Sequence, residues 1–411
     1  VIPKLLKVRT FRILWVGRFA SIFGSRFLDF AFPWLVLEMT GSPLAAGIVL
    51  ATEQVAPIVF ALPAGIWIEK LPKKSTALVS ETIRILIILS LIFLILTESL
   101  SVWAFMCIAL ILGCVEVFFG TSYKLFLLYA VGREHLREAY NLTEGADSIA
   151  SAIGPAIAGI IFLNFGAEWA IAVTALGFVV SLLTIAIVKV KEPANEKESH
   201  QRLTFNFALI WKDLKEGITY ISKTKFQSSF LLINIILGFC AMSSILLITI
   251  LAQQNLGLNA GQAGSLLSAM GVGAIVGVLI LQTLNKYSWK YVLTGALTLS
   301  SLGGIILAVA SSYTVVLIGA FLLDCGLSIS FVVHASTHQI NTPNRLLARV
   351  NTASLSVDGV SRLGSRLYAG GLTQLFDVRT PLFIMGIILV FGAIVAFKTN
   401  EPDLSEEELS I

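Results

Sequence analysis

Arginine and aspartate stand three residues apart at Arg26 and Asp29, inside a run of apolar residues. An aspartate and two arginines step by four at Asp358, Arg362 and Arg366, inside another. On an α-helix both spacings place the side chains on one face, where carboxylate and guanidinium can pair. An ionised group in hydrocarbon costs about 3 kcal/mol even on the lowest scales, so such residues mark internal pairing or a polar path. The chemistry open to them is proton uptake by a carboxylate and recognition of a charged group. Asp29, Asp324, Glu53 and Asp358 are the candidates for proton uptake; Arg26, Arg362, Arg366, Asn234 and Glu116 are the candidates for lining a substrate cavity. Each also has a plainer reading as part of a salt bridge between packed helices. That plainer reading is taken for Glu81 and Arg84, three apart near the end of their span. For Arg26 with Asp29, and for the stripe from Asp358, a polar path is the expectation, since small polar residues would join helices more simply.

The elements that position these residues follow from composition. Hydrophobic residues make up 56% of the 411 and charged residues 13%, against about a quarter charged in soluble domains. Apolar runs of about 20 residues recur, each long enough to cross hydrocarbon as a helix, and the short alternating segments of a β-barrel do not appear. Hydropathy places about 12 spans in two groups of six, an all-α membrane protein. Residues 1–190 form the first bundle, residues 226–398 the second, and residues 399–411 an acidic tail. Residues 191–225 form a polar linker. There Phe207, Ile210, Trp211, Leu214, Ile218 and Ile221 recur at the spacing of a helix lying in the membrane interface. The first span shows no small-residue cleavage site and reads as retained. Lysine and arginine crowd the N-terminus, the linker and the loops after spans two, four, eight and ten. The positive-inside rule therefore puts both termini in the cytoplasm of a cytoplasmic-membrane protein.

The two groups are copies. Asn141, Asp147 and Gly154, behind Arg133 and Arg137, return as Asn351, Asp358 and Gly364 behind Arg345 and Arg349. Each copy opens on a basic turn and carries a carboxylate into the membrane, the internal repeat expected of a two-halved transporter.

Several function classes drop out. Cys107, Cys114, Cys240 and Cys325 fall in apolar spans without CxxC spacing, so neither a disulfide nor a metal is expected. No GxxxxGK(S/T), HExxH or GxSxG sequence is present, so no ATPase, enzyme or cofactor is expected. The formal charge of +4 is dispersed among loops, which does not suit nucleic acid.

At this point the residues carry a resemblance. Gly65-Ile66-Trp67-Ile68-Glu69-Lys70-Leu71-Pro72-Lys73-Lys74 is similar to the G-x-x-x-D-R-x-G-R-R signature of the major facilitator superfamily. Glu69 stands for the Asp, Lys70 for the first Arg, Lys73 and Lys74 for the basic pair, and Pro72 departs from the inner Gly. Gly145 and then Gly154-Pro155-Ala156-Ile157-Ala158-Gly159 resemble the antiporter motif of drug–proton exchangers. The opening from Phe11 to Trp15, through Pro33-Trp34 to Thr40-Gly41-Ser42-Pro43, looks like the macrolide-efflux and enterobactin-exporter branch. That resemblance implies alternating access, a cavity built by spans one, four, seven and ten, and a gate at Glu69–Lys74. Function is then expected to be proton-driven export of small amphipathic molecules by a monomer, with the proton and the lipid bilayer as further partners. A proton-coupled importer is the first alternative, and a channel or non-transporting receptor the second.

Overall fold

The computed structural model describes residues 4–190, 215, 217–284 and 286–400; within these, the side chains of residues 4, 61–66, 69, 70, 344, 345, 347, 348, 351 and 352 lie outside the described set. The interfacial segment read at Phe207, Ile210, Trp211 and Leu214 falls outside it as well, while residues 217–223 are helical.

Among the described residues the chain forms long α-helices throughout. The first half holds α1 (Arg9–Thr40), α2 (Pro43–Lys70), α3 (Lys73–Leu96), α4 (Val102–Val131), α5 (Leu136–Phe165) and α6 (Ala167–Ile187). The second half holds α7 (Lys225–Ile250), α8 (Ala260–Leu284), α9 (Trp289–Val309), α10 (Tyr313–Ile340), α11 (Asn344–Leu375) and α12 (Arg379–Lys398). Of these, 11 are long and apolar enough to cross a membrane. The remaining one, α11, spans 32 residues but carries the Asp358, Arg362 and Arg366 stripe. The helix ends are written in local chemistry. Gly41 takes φ +60 at the C-cap of α1, a left-handed conformation only glycine adopts freely, and its N–H donates to Leu37 O at 2.8 Å. Ser101 caps α4, its hydroxyl accepting from the Ala104 N–H at 3.2 Å.

The chain divides into two compact units. In the first, α1 packs along α5 and α6, and α3 along α4 and α6. In the second, α7 packs along α11 and α12, and α9 along α10 and α12. The duplication seen in sequence thus recurs as one packing scheme used twice. Each unit also takes in a short helical end from the other half of the sequence: Asn259–Ser268 belongs to the first and Ser42–Gly47 to the second. Glycines seat these ends. A methyl on Gly264 would come within 3.1 Å of the Gly159 Cα, and one on Gly47 within 3.0 Å of the Gly370 Cα. With no hydrophobic drive between helices in lipid, such close backbone approach is what holds them.

Candidate functional site

In the first unit α1 and α5 meet through charge. Arg26 donates from Nη1 to Asp29 Oδ2 at 2.8 Å and from Nη2 to Asp147 Oδ1 at 2.6 Å. One guanidinium is therefore forked between a carboxylate one turn along its own helix and another on α5. The Asp29 and Asp147 side chains are 47% and 36% exposed, so neither is sealed within the helix packing. The antiporter-like stretch makes the approach possible. A methyl on Gly154 would lie 2.8 Å from Arg26 Cβ, so only glycine lets α1 come this near. Next to it Pro155 has no N–H to continue the α5 ladder. The following Ala156 N–H donates sideways to Ser268 Oγ at 2.9 Å, and Gly159 receives the Gly264 backbone. Gly145 has open space around it and Glu144 is exposed.

A second fork lies between α3 and α4. Arg84 pairs with Glu81 at 3.4 Å and also with Glu116 of α4. Glu81 is fully buried and accepts from Ser181 Oγ at 2.6 Å and Ser21 Oγ at 3.4 Å. The Arg84 guanidinium lies 4.8 Å from the Phe119 ring centre and 4.4 Å from that of Phe178. Glu116, read from sequence as a cavity residue, is thus also the outer end of this cluster. Along α1 runs an aromatic ladder, Trp15, Phe19, Phe23 and Phe27, with ring centres 5.8, 5.9 and 5.1 Å apart. Its four-residue spacing is plain in the sequence, but nothing there says that three of its rings stay half-buried.

In the second unit the α11 stripe closes on itself. Arg362 Nε donates to Asp358 Oδ2 at 2.7 Å. Asp358 is buried and lies over Gly238 of α7, where a methyl would overlap its Oδ1. Arg366, also buried, reaches Met242 Sδ at 3.7 Å, which leaves Arg362 as the more exposed of the two arginines. On the neighbouring flank Val357, Val360 and Gly364 close with Ile235 and Phe239 of α7 an apolar groove of about 540 Å³. Asp324 on α10 and Asn234 on α7 are half-buried, and Asp324 has no hydrogen-bond or ion-pair partner among the described residues. Glu53 on α2 is half-buried, its backbone carbonyl seated where Gly113 of α4 leaves room.

Of the gate-like sequence, Gly65, Glu69 and Lys70 lie in α2 with their side chains outside the described set. Lys73 is buried, its Nζ donating to Leu71 O at 2.8 Å. Lys74 Nζ donates to Ala186 O and Val188 O, both at 2.8 Å, satisfying carbonyls left open at the end of α6.

Residues 4–410 match the family model described as transmembrane secretion effector, within the major facilitator superfamily. The chain belongs to that superfamily. The multidrug efflux pump Tap of Mycolicibacterium fortuitum is 23% identical to it, over 88% of this chain and 90% of the relative. The enterobactin exporter EntS of Escherichia coli O1:K1 is 25% identical over 98% and 97%. A crystal structure of the nucleoside transporter NupG superposes with a TM-score of 0.76 at 13% identity, over 96% of this chain and 100% of that one, a likeness of fold alone. This major facilitator protein is a multi-pass bacterial inner-membrane transporter of small molecules and not an enzyme.

Proposed function

We propose that this transporter is a proton-coupled exporter of small amphipathic molecules, drugs of the macrolide type or siderophores among them, working as a monomer with both termini in the cytoplasm. The observation that carries the reading is the half-exposed fork of Arg26 between Asp29 and Asp147. A proton taken up by Asp29 frees the Nη1 edge of the guanidinium while Nη2 stays on Asp147. Proton arrival at Asp29 from outside and its loss inward would thus change what Arg26 can bind. Rings of Trp15, Phe19 and Phe23 on the same helix offer flat apolar faces beside that charge. The relatives' described activities, multidrug efflux and enterobactin export, support the outward direction and the amphipathic cargo.

Everted membrane vesicles test the reading. A screen of a macrolide, a catecholate siderophore and a cationic dye should show uptake of at least one, driven by an inside-acid gradient and abolished by Asp29→Asn without loss of counterflow. Uptake in the opposite orientation, driven by the opposite gradient, would establish the importer instead.

A further inference from the structure

Between α1 and α5 two carboxylates share the Arg26 guanidinium, whereas on α11 Asp358 pairs with Arg362 of its own helix. Asp147 and Asp358 occupy matching places in the sequence repeat. Asp147 takes its cation from α1, which must also hold Asp29. Asp358 faces Gly238 of the matching helix α7, and draws its cation from Arg362 on its own helix. Neighbouring charges do not balance the first fork. On α1, α5 and the helices packed against them these are Arg9, Arg12, Arg18 and Glu38 of α1, Glu116 and Lys124 of α4, Arg137, Glu138 and Glu144 of α5, and Glu168 of α6. Among the described residues none forms an ion pair with Arg26, Asp29 or Asp147. Glu116 is engaged by Arg84, and Glu138 accepts from the Leu5 N–H at 3.2 Å. On α1 itself Arg18 lies over the Phe119 and Tyr123 rings.

We propose that Asp147 is a second proton-carrying residue, which shares a single proton with Asp29 through Arg26. With both carboxylates ionised the fork carries a net charge of −1, and one proton brings it to zero. The proton forms an O–H bond on one carboxylate while Arg26 stays paired to the other, so the guanidinium keeps a counter-charge. A second proton would strand the guanidinium, and this limits the site to one. When the proton resides on Asp147, the Arg26–Asp147 bridge between α1 and α5 opens while the bond to Asp29 within α1 persists. Proton occupancy is thereby converted into a loosened contact between two helices, beside the close approach of Gly154 to Arg26. Replacing either aspartate by asparagine leaves a one-to-one ion pair with no spare carboxylate to titrate.

The proposal rests on the proton-coupled reading, and its test needs no transported substrate. Infrared difference spectroscopy of the purified, reconstituted protein between acid and alkaline buffer reads the carbonyl stretch of protonated carboxyl groups directly. The wild type is expected to show a titrating band. Asp147→Asn and Asp29→Asn should each remove the same band, and the double variant should remove no more than either alone. Asp147→Glu should keep a band with a displaced midpoint, which covers the case where Asp147→Asn fails to fold; an unmoved midpoint overturns the assignment. A full wild-type band surviving in Asp147→Asn overturns the role of Asp147 while leaving proton coupling in place. No titrating band in the wild type, together with no gradient-driven transport, removes the coupled reading itself.

Discussion

Arg84→Met should unfold this protein more easily without altering its response to protons. Glu81 is fully buried, and apart from Arg84 its carboxylate is met by the hydroxyls of Ser181 and Ser21. Removing the guanidinium leaves that charge uncompensated, a loss of about 3–5 kcal/mol when one partner of a buried pair is deleted. Part of that figure is the planar stacking on Phe119 and Phe178, each worth about 1 kcal/mol. The bond to Glu116 is counted apart from this figure, because that side chain is 47% exposed and not part of the buried pair. Arg84→Lys keeps the charge but not the stacked plane, and should fall between the wild type and Arg84→Met. Glu81→Gln combined with Arg84→Met removes both buried charges while keeping an amide to bond Ser181, and should recover most of the loss. Thermal unfolding in detergent, followed by tryptophan fluorescence, measures each step, and gradient-driven transport per folded molecule is read beside it. A change in Arg84→Met no larger than the ~0.5 kcal/mol of an ordinary surface substitution would refute the buried-pair argument. So would lost proton coupling in a variant that remains folded, since Arg84 would then belong to the working site.

Gly154→Val should lower the unfolding midpoint by the equivalent of about 1–3 kcal/mol and weaken the response to pH. The new Cβ would meet Arg26 Cβ at 2.8 Å, close to two backbones that cannot swing aside, and the bond to Asp147 must lengthen; unfolding curves and vesicle transport check both effects. Lys74→Gln removes two charge-assisted hydrogen bonds from the last carbonyls of α6. It should free that turn by about 1 kcal/mol, seen as faster amide exchange confined to the end of α6.

What the sequence discloses here is local along the helix. The Arg26–Asp29 and Asp358–Arg362 pairs are legible because spacings of three and four fix a shared face whatever surrounds the helix. Helix existence is equally legible, since an apolar run in lipid must satisfy its own backbone. The repeat, visible as Asn141, Asp147 and Gly154 against Asn351, Asp358 and Gly364, carries over into matched helix packing. Partners on other helices are not legible. Arg26 meets Asp147 and Arg84 meets Glu116 across helices, through packing such as that of Gly154 against Arg26, which no single helix's spacing records. Reading Asp147 as a repeated carboxylate therefore did not disclose its cation, and a census of charge by span could not tell Glu116 in a cavity from Glu116 bound to Arg84. The stripe on α11 has the same ambiguity. Four-residue steps put Asp358, Arg362 and Arg366 on one face, but the neighbours of that face, Gly238 and Met242, are supplied by α7.

The glycine seats at Gly47–Gly370 and Gly159–Gly264 bear on how the polypeptide could be divided. A gene cut between codons 190 and 215 would yield two fragments, neither encoding a complete unit. The leading fragment would carry Ser42–Gly47 without the helix that receives it, and would lack Asn259–Ser268, the helical end that Pro155 and Gly159 receive. The trailing fragment would have the reciprocal deficit at Gly370. Each piece would thus present a bare strip of small residues to lipid, with its matching knob on the other molecule. Split versions of this protein should accordingly accumulate only when both pieces are made together. Bulky residues at the four glycines should abolish that complementation before they harm the uncut chain, whose linker keeps the two halves at high effective concentration.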